Sequence, residues 1–409
     1  MKFSINYNFY EIGIILIINT LLFGLIGNSL QIGRILSIVL LPINIIFWFK
    51  NKVSLKIFLL IFIGLFWLIT GYILLSKAFD KNLARIYLLY LFLNFNLIFS
   101  LILFGTKTTR LLEIILKGWL LFIIISIFFG SFEIITGIHF FTNHIQADKA
   151  YNEVAINGIV GKKYAAFTYG NYNEYMTALS MSVPFLFTSL LYFKNYKAQK
   201  KLLIISFIVF SVIALTSSRG AILAFIIGLA IFMFFYKKIN FDKKKTLIKR
   251  TKFSLILGIL FLSPLILSQL LARLDSQDLT EDQTRILMYA EILSRLENSN
   301  YKGIGPDGLY SLNLPPHNLW LDIAVQYGIL ILIILIIFFV YVISYIFIKS
   351  KYDLNYKYLF LSAYLIILPV SLINSSYLNY PFTWIFVGSL ITLFFNYSKN
   401  NKLSIYYKK

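Results

Sequence analysis

Long runs rich in leucine, isoleucine and phenylalanine alternate along this chain with short polar breaks. Most of the runs reach the ~20 residues a helix needs to cross the hydrocarbon core of a bilayer. Their lengths predict about twelve spans, near 10–27, 31–49, 53–75, 84–105, 113–137, 173–193, 202–217, 220–236, 253–272, 319–348, 358–376 and 381–397. In lipid such runs must be helical, because every backbone polar group needs a partner within its own segment. No small-residue cleavage site follows the first run, so it is read as a span and not as a signal peptide. The expected architecture is an all-α polytopic membrane protein with a single transmembrane domain over residues 1–409.

Composition agrees: 59% hydrophobic residues and a mean hydropathy of +0.78 exclude an ordinary soluble domain. The absence of cysteine excludes disulfides and thiolate chemistry. The net charge of +21 resolves into a topology signal. With both termini in the cytoplasm, the inner side holds roughly 26 of the 38 basic residues and only about 4 acids. Lys50, Lys107, Arg110, Lys117, the cluster from Lys237 to Lys252 and the tail from Lys399 are among them. The outer side then carries about 12 bases and 13 acids, close to neutral. These lysines are scattered over separate inner loops, so no nucleic-acid partner is expected.

Two outer loops are long, about 138–172 and 273–317, and long connections in compact proteins are often binding or catalytic elements. In the second, Thr280-Glu281-Asp282-Gln283 has capping-box spacing. A helix from Arg285 to Leu296 is predicted to follow, amphipathic along the membrane face, with Ile286, Ala290, Leu293 and Leu296 on one side. Gly303-Ile304-Gly305-Pro306-Asp307-Gly308 ends it, and Pro315-Pro316 gives a stiff approach to His317.

Two polar motifs sit at the outer ends of apolar runs: Thr216-Ser217-Ser218-Arg219-Gly220-Ala221 and Pro316-His317-Asn318-Leu319-Trp320-Leu321. Arg219 lies between two spans separated by almost nothing. Its guanidinium either snorkels to the headgroups or binds phosphate oxygens bidentately, and the small residues around it allow a backbone or a phosphate to come close. His317 is one of three histidines, with His139 and His144 in the other outer loop. An isolated histidine is more often a structural hydrogen-bonding residue than an acid–base catalyst. No metal-ligand spacing, serine-hydrolase elbow or phosphate-cradling loop is present, and no cofactor is expected. Arginines, a histidine and scattered carboxylates suit the handling of a diphosphate ester.

At these residues the chain resembles the bacterial O-antigen ligase/polymerase superfamily. Three blocks carry the likeness: Phe167-Thr168-Tyr169-Gly170-Asn171-Tyr172-Asn173-Glu174-Tyr175, the Ser-Arg-Gly-Ala helix junction at Thr216 to Ala221, and Arg285 followed by Gly303-Ile304-Gly305 and by His317-Asn318 through Tyr327-Gly328-Ile329. Tyr172 stands where many members of that family carry proline. The resemblance covers residues 165–330 and implies a glycosyltransferase-C-like membrane enzyme with a large, partly helical outer loop. Its implied donor is an undecaprenyl-diphosphate-linked glycan at the outer face of the cytoplasmic membrane. Its implied catalytic residues are Arg219, Arg285 and His317, with Asn171, Asn173, Ser218 and Asn318 as substrate-binding residues. A chain-length regulator and a flippase are implied as further partners beside the bilayer.

The expected activity is polymerisation of lipid-linked polysaccharide repeat units. A ligase passing the glycan to a lipid-A core or another envelope acceptor shares the motifs. A lipid-linked-oligosaccharide flippase is a more distant alternative, because transporters carry ionisable groups at mid-membrane and these spans are nearly free of them.

Overall fold

The computed structural model describes residues 7–24, 31–50, 55–139, 164–169, 172–216, 218–236, 278–307, 318–349, 353–373 and 377–406. All regular structure among them is helical. The helices are α1 (Phe9–Asn19), α2 (Ile32–Lys50), α3 (Leu55–Leu74), α4 (Lys81–Thr106), α5 (Leu111–Thr136), α6 (Tyr172–Tyr192), α7 (Tyr196–Thr216), α8 (Arg219–Tyr236), α9 (Asp278–Asn298), α10 (Leu319–Tyr327), α11 (Ile329–Lys349), α12 (Leu354–Val370) and α13 (Pro381–Tyr406). Seven of these segments (α2 to α7 and α11) are long and apolar enough to cross a membrane. Shorter apolar helices at Phe9–Phe23, Arg219–Phe235, Leu354–Val370 and Pro381–Tyr397 match four more expected spans. The expected span at 253–272 lies outside the described residues.

Helix α6 is the centre of the bundle, buried along nearly its whole length and packed against α5, α8 and α12. It is rich in hydroxyls, and burial is possible because they are satisfied within the helix. Thr177, Ser180, Thr188 and Ser189 each donate to the carbonyl four residues earlier. Trp119 of α5 stacks on Phe185 of α6 with centroids 4.5 Å apart and donates its indole N–H to Ser389 of α13 at 3.1 Å. A polar ladder joins α2 to α4: Ser37 donates to the Leu93 carbonyl, Asn96 returns to the Ser37 carbonyl, and Asn44 donates to Asn96 Oδ1 and Ser100 Oγ. Paired amides and hydroxyls of this kind hold membrane helices together where apolar contact alone does not distinguish helix from lipid. Helix α11 keeps much of its apolar surface exposed, as a lipid-facing helix does.

At one end of the bundle the charges pair. Arg110 at the start of α5 grips both carboxylate oxygens of Glu11 at 3.1 Å, and Lys117 meets Glu113 at 2.6 Å. The sequence motifs lie at the other end.

Two expectations need correction. The apolar run at 319–348 is not one span, because it breaks at Gly328, whose φ is +91°. Tyr301 to Gly305 pair with the backbone at the break: Ile304 and Gly305 donate to the carbonyls of Val325 and Gln326, and Ile329 donates to that of Tyr301. The resulting α10 has nine residues, about 14 Å, too short to span. Helix α9 begins at Asp278, so Thr280 lies inside it and not at its cap. It ends at Asn298 in a Schellman turn, before Gly303. Asn300 and Tyr301, both left-handed, donate to the carbonyls of Glu297 and Leu296. The residues of α9 that pack on protein are Met288, Ile292 and Leu296, while Ala290 and Leu293 stay exposed. Met288 and Ile292 bury against Val325 of α10, so α10 selects the packed face.

Candidate functional site

The three motif blocks meet at one end of the bundle. The first long loop is not solvated where it returns. Residues 164–169 are buried non-helical chain, held by Glu133 near the end of α5. One Glu133 oxygen accepts the N–H groups of Ala166 and Phe167, both at 2.8 Å, with Phe167 left-handed at φ +53°. Thr168 and Tyr169 donate to the carbonyls of Leu22 and Leu21 at 2.9 Å, and the Ala165 N–H reaches Thr216 Oγ1 at 3.4 Å. This last contact brings the first block against the second. Asn173 is half-buried in the first turn of α6; Asn171 and His144 lie outside the described residues.

At the second block α7 ends at Thr216 and α8 starts at Arg219. Ser218 is buried, and its carbonyl accepts the Ile222 N–H at 2.9 Å. Arg219 is exposed on the opening turn of α8, where helix N–H groups favour an anion. A Cβ on Gly220 would lie 2.6 Å from Ile373 Cγ1 and 2.9 Å from the Pro369 carbonyl oxygen. The small residue here therefore admits the end of α12.

In the third block Asn318 caps α10, its side-chain oxygen accepting from Trp320 at 2.9 Å and Leu321 at 3.3 Å. The Leu319 N–H donates to the Ser371 carbonyl at 2.9 Å, two residues from Pro369 and Ile373 and so beside Gly220. Arg285 falls within α9, but its side chain lies outside the described residues, as does the whole of His317.

Residues 369–373 at the end of α12 and 377–380 before α13 together touch all three blocks, and the sequence motifs include none of them. Beyond the contacts to Gly220 and Leu319, the Tyr380 hydroxyl donates to Glu174 Oε1 at 2.6 Å. The Asn379 carbonyl accepts from Arg34 Nη2 at 2.5 Å, and Arg34 lies over the Tyr90 ring, 3.3 Å from its centroid. Arg34 and Glu174 are both buried, so a cation and a carboxylate from distant helices are anchored on one connection. Asp322 in the first turn of α10 is also fully buried and accepts from Gln326 Nε2 at 2.5 Å. Burial raises its carboxyl to about 7.

Each of these had a faint signal. Arg34 is the lone charge in the second apolar run before Lys50, and Glu174 sits inside the first motif block. Asp322 is the first acid after His317. Among the described residues no group of three or more His, Asp or Glu side chains converges as metal ligands would.

Residues 202–336 match the family described as O-antigen ligase. The matched segment is less than half of the chain. It includes Ser218, Arg219, Arg285, His317 and Asn318, and leaves out Asn173, Glu174, Arg34 and Tyr380. No curated protein and no solved structure matches the chain.

Proposed function

We propose that this protein is a membrane glycosyltransferase that polymerises lipid-linked polysaccharide repeat units at the outer face of the cytoplasmic membrane. The observation that carries the reading is the meeting of three separated motif blocks at the bundle end remote from the paired lysines and arginines, with Arg219 exposed among them. In this reading a hydroxyl oxygen of the incoming repeat attacks the anomeric carbon of the growing glycan. The bond from that carbon to undecaprenyl diphosphate breaks, and the leaving diphosphate takes the electron pair.

Arg219 and Arg285 meet the charge that develops on the leaving group, preorganised donors being most effective where water is scarce. His317 takes the acceptor proton, a task suited to an imidazole near neutral pH. Asn171, Asn173, Ser218 and Asn318 contribute sugar-binding polar groups. For Asn318 the side-chain oxygen is committed to the helix cap, leaving its amide N–H₂ for that role. The polyprenyl tail lies in apolar grooves between spans. A chain-length regulator and the flippase that delivers repeats fit as partners.

The description of the matched family favours a second reading, a ligase passing the finished glycan to a lipid-A core or another envelope acceptor. Incubating the purified protein with one defined undecaprenyl-linked repeat unit separates the two. A ladder of products supports polymerisation. Transfer only when a separate envelope acceptor is added supports ligation, and no transfer in either assay overturns both.

A further inference from the structure

A cavity of about 520 Å³ opens at the Gly303-Ile304 end of the third motif block, away from the cluster around Gly220. It is lined by Lys77 and Phe79 from the turn between α3 and α4, Arg295, Asn298 and Ser299 from the end of α9, and Asp307. Its volume falls within the ~300–1,000 Å³ typical of small-ligand sites. The chemistry of the lining is that of a saccharide site. The Phe79 ring is 75% exposed and offers a flat apolar face. Lys77 and Arg295 supply charged donors, and Asn298 and Ser299 supply neutral groups that both donate and accept.

The walls are tied to one another. Asp307 is fully buried, and its Oδ2 accepts the Asp80 N–H at 2.5 Å, fastening the loop after α9 to the α3–α4 turn. Gly303 seats against Gly328 at the break between α10 and α11. Arg295 is braced by Glu291 at 2.7 Å. Helix α10 links this cavity to the motif cluster. Its C-terminal end bonds Ile304 and Gly305 at the cavity, and its N-terminal end bonds Ser371 beside Gly220. The two places are therefore separated by about 14 Å, the length of nine helical residues. A glycan several sugars long bridges that distance; a single sugar does not.

We propose that this cavity is a glycan-holding subsite that grips the growing polysaccharide several sugars away from the bond being made. The proposal rests on the polymerase reading for its purpose, but not for its test. Holding the chain between transfers raises the effective concentration of its reactive end, as a tether does. Phe79 provides the stacking face, and Lys77, Arg295, Asn298 and Ser299 provide hydrogen bonds to hydroxyls and to any carboxylate on the sugar. Substituting Phe79 or Lys77 leaves packing intact, because both side chains are exposed.

The test uses the full-length protein in nanodiscs and two probes released from the lipid, one repeat unit long and four repeat units long. Wild type is expected to bind the longer probe more tightly. Phe79→Ala is expected to remove about fivefold of that binding, the equivalent of a lost stacking contact of about 1 kcal/mol, and Lys77→Ala part of it. In the polymerisation assay both variants are expected to lower modal chain length several-fold more than they lower the rate of the first transfer. Equal binding of the two probes by wild type overturns the subsite, as does a chain length that falls only in proportion to first transfer. If wild type makes no ladder, the polymerase reading fails, and the binding comparison alone still decides the subsite.

Discussion

The Tyr380 hydroxyl donates to Glu174 Oε1 at 2.6 Å across 206 positions of sequence. With that bond the connection after α12 holds the first turn of α6, while two other points of the same connection hold Gly220 and Leu319. The partner is a buried carboxylate, and a buried acceptor deprived of its donor costs ~1–3 kcal/mol, more when it is charged. Tyr380→Phe keeps the ring, which stacks on Phe382 at 5.3 Å, and removes only the hydroxyl. It is expected to lower thermal stability moderately and turnover strongly. Glu174→Gln retains an oxygen that can accept, so it is expected to be milder than Glu174→Ala in both measurements. Wild-type turnover in Tyr380→Phe shows that the bond positions nothing of consequence.

Gly303 and Gly328 face one another so closely that neither admits a side chain. A Cβ on Gly303 would lie 2.7 Å from the Gly328 nitrogen, and one on Gly328 would lie 2.7 Å from the Lys302 carbonyl oxygen. Both residues also have φ near +90°, a conformation costing an L-residue ~1–3 kcal/mol before any clash is counted. Gly137 offers the comparison, since its φ is +73° and nothing lies within 4 Å of its Cβ position. Alanine at 303 or 328 is expected to destabilise the protein clearly more than alanine at 137. It is also expected to open the 299–307 segment to protease while leaving the expression level of the bundle largely intact. Equal effects at 137 and 328 would show that only the dihedral angle matters.

These two relationships mark where the sequence stops being legible. The spans are visible because membrane thickness sets a length that composition alone reveals, and the α9 helix is visible because apolar residues recur at helical spacing. The break at Gly328 is hidden because apolarity runs straight through 319–348 and glycine is tolerated inside membrane helices. What breaks the helix is backbone pairing with Tyr301, Ile304 and Gly305, and such a partner leaves no local trace. The sequence predicts the helix to Leu296 with Gly303 as its terminator, whereas Asn300 supplies the left-handed residue, the usual alternative to glycine. Among the motif residues, the sequence pointed to Arg219 through its small neighbours but could not say what those neighbours admit. The structure places the Pro369 carbonyl there. Arg34 and Tyr380 belong to no motif, and only folding brings them together.

The orientation of the bundle is open to direct test, because the chain contains no cysteine and any introduced thiol is the only one. Glu297 near the end of α9 and Lys197 at the start of α7 are both exposed and lie on opposite sides in the charge-based topology. Glu297→Cys is expected to react with a membrane-impermeant maleimide in intact cells, and Lys197→Cys only after permeabilisation. The reverse pattern overturns the topology and, with it, the placement of the reaction at the outer face.

His317 directly precedes Asn318, whose cap fixes the start of α10, and follows two prolines that restrict the backbone. If it removes the acceptor proton, His317→Ala is expected to keep donor binding while turnover falls ~10²-fold or more, the scale for a lost general base. Wild-type turnover is then expected to decline on acidification, as the imidazole takes up a proton and can no longer accept one. If the ring instead acts as a cation on the diphosphate, donor affinity falls together with turnover. Measuring binding and rate separately on the one variant distinguishes the two roles, and full activity rejects both.

Arg219 is the sharpest prediction, because its surroundings allow charge and shape to be tested apart. It is exposed on the first turn of α8, with Ser218 buried behind it and Gly220 wedged against Pro369 and Ile373. The backbone that carries it is therefore held from two sides, and a substitution at 219 changes the head group without moving its base. Lysine keeps the positive charge but offers a point donor in place of a planar fork, so it loses bidentate contact with a phosphate. If Arg219 only snorkels to headgroups, Arg219→Lys is nearly as active as wild type, since lysine snorkels equally well. If it binds the donor diphosphate, Arg219→Lys is expected to lose most of its turnover and Arg219→Ala nearly all of it, in proteins that express and melt normally. Gly220→Ala supplies the complementary measurement: it leaves the guanidinium in place but forces α8 away from Pro369, and is expected to impair both stability and transfer. A normally folded Arg219→Ala protein that still elongates glycan at the wild-type rate removes Arg219 from the reaction altogether.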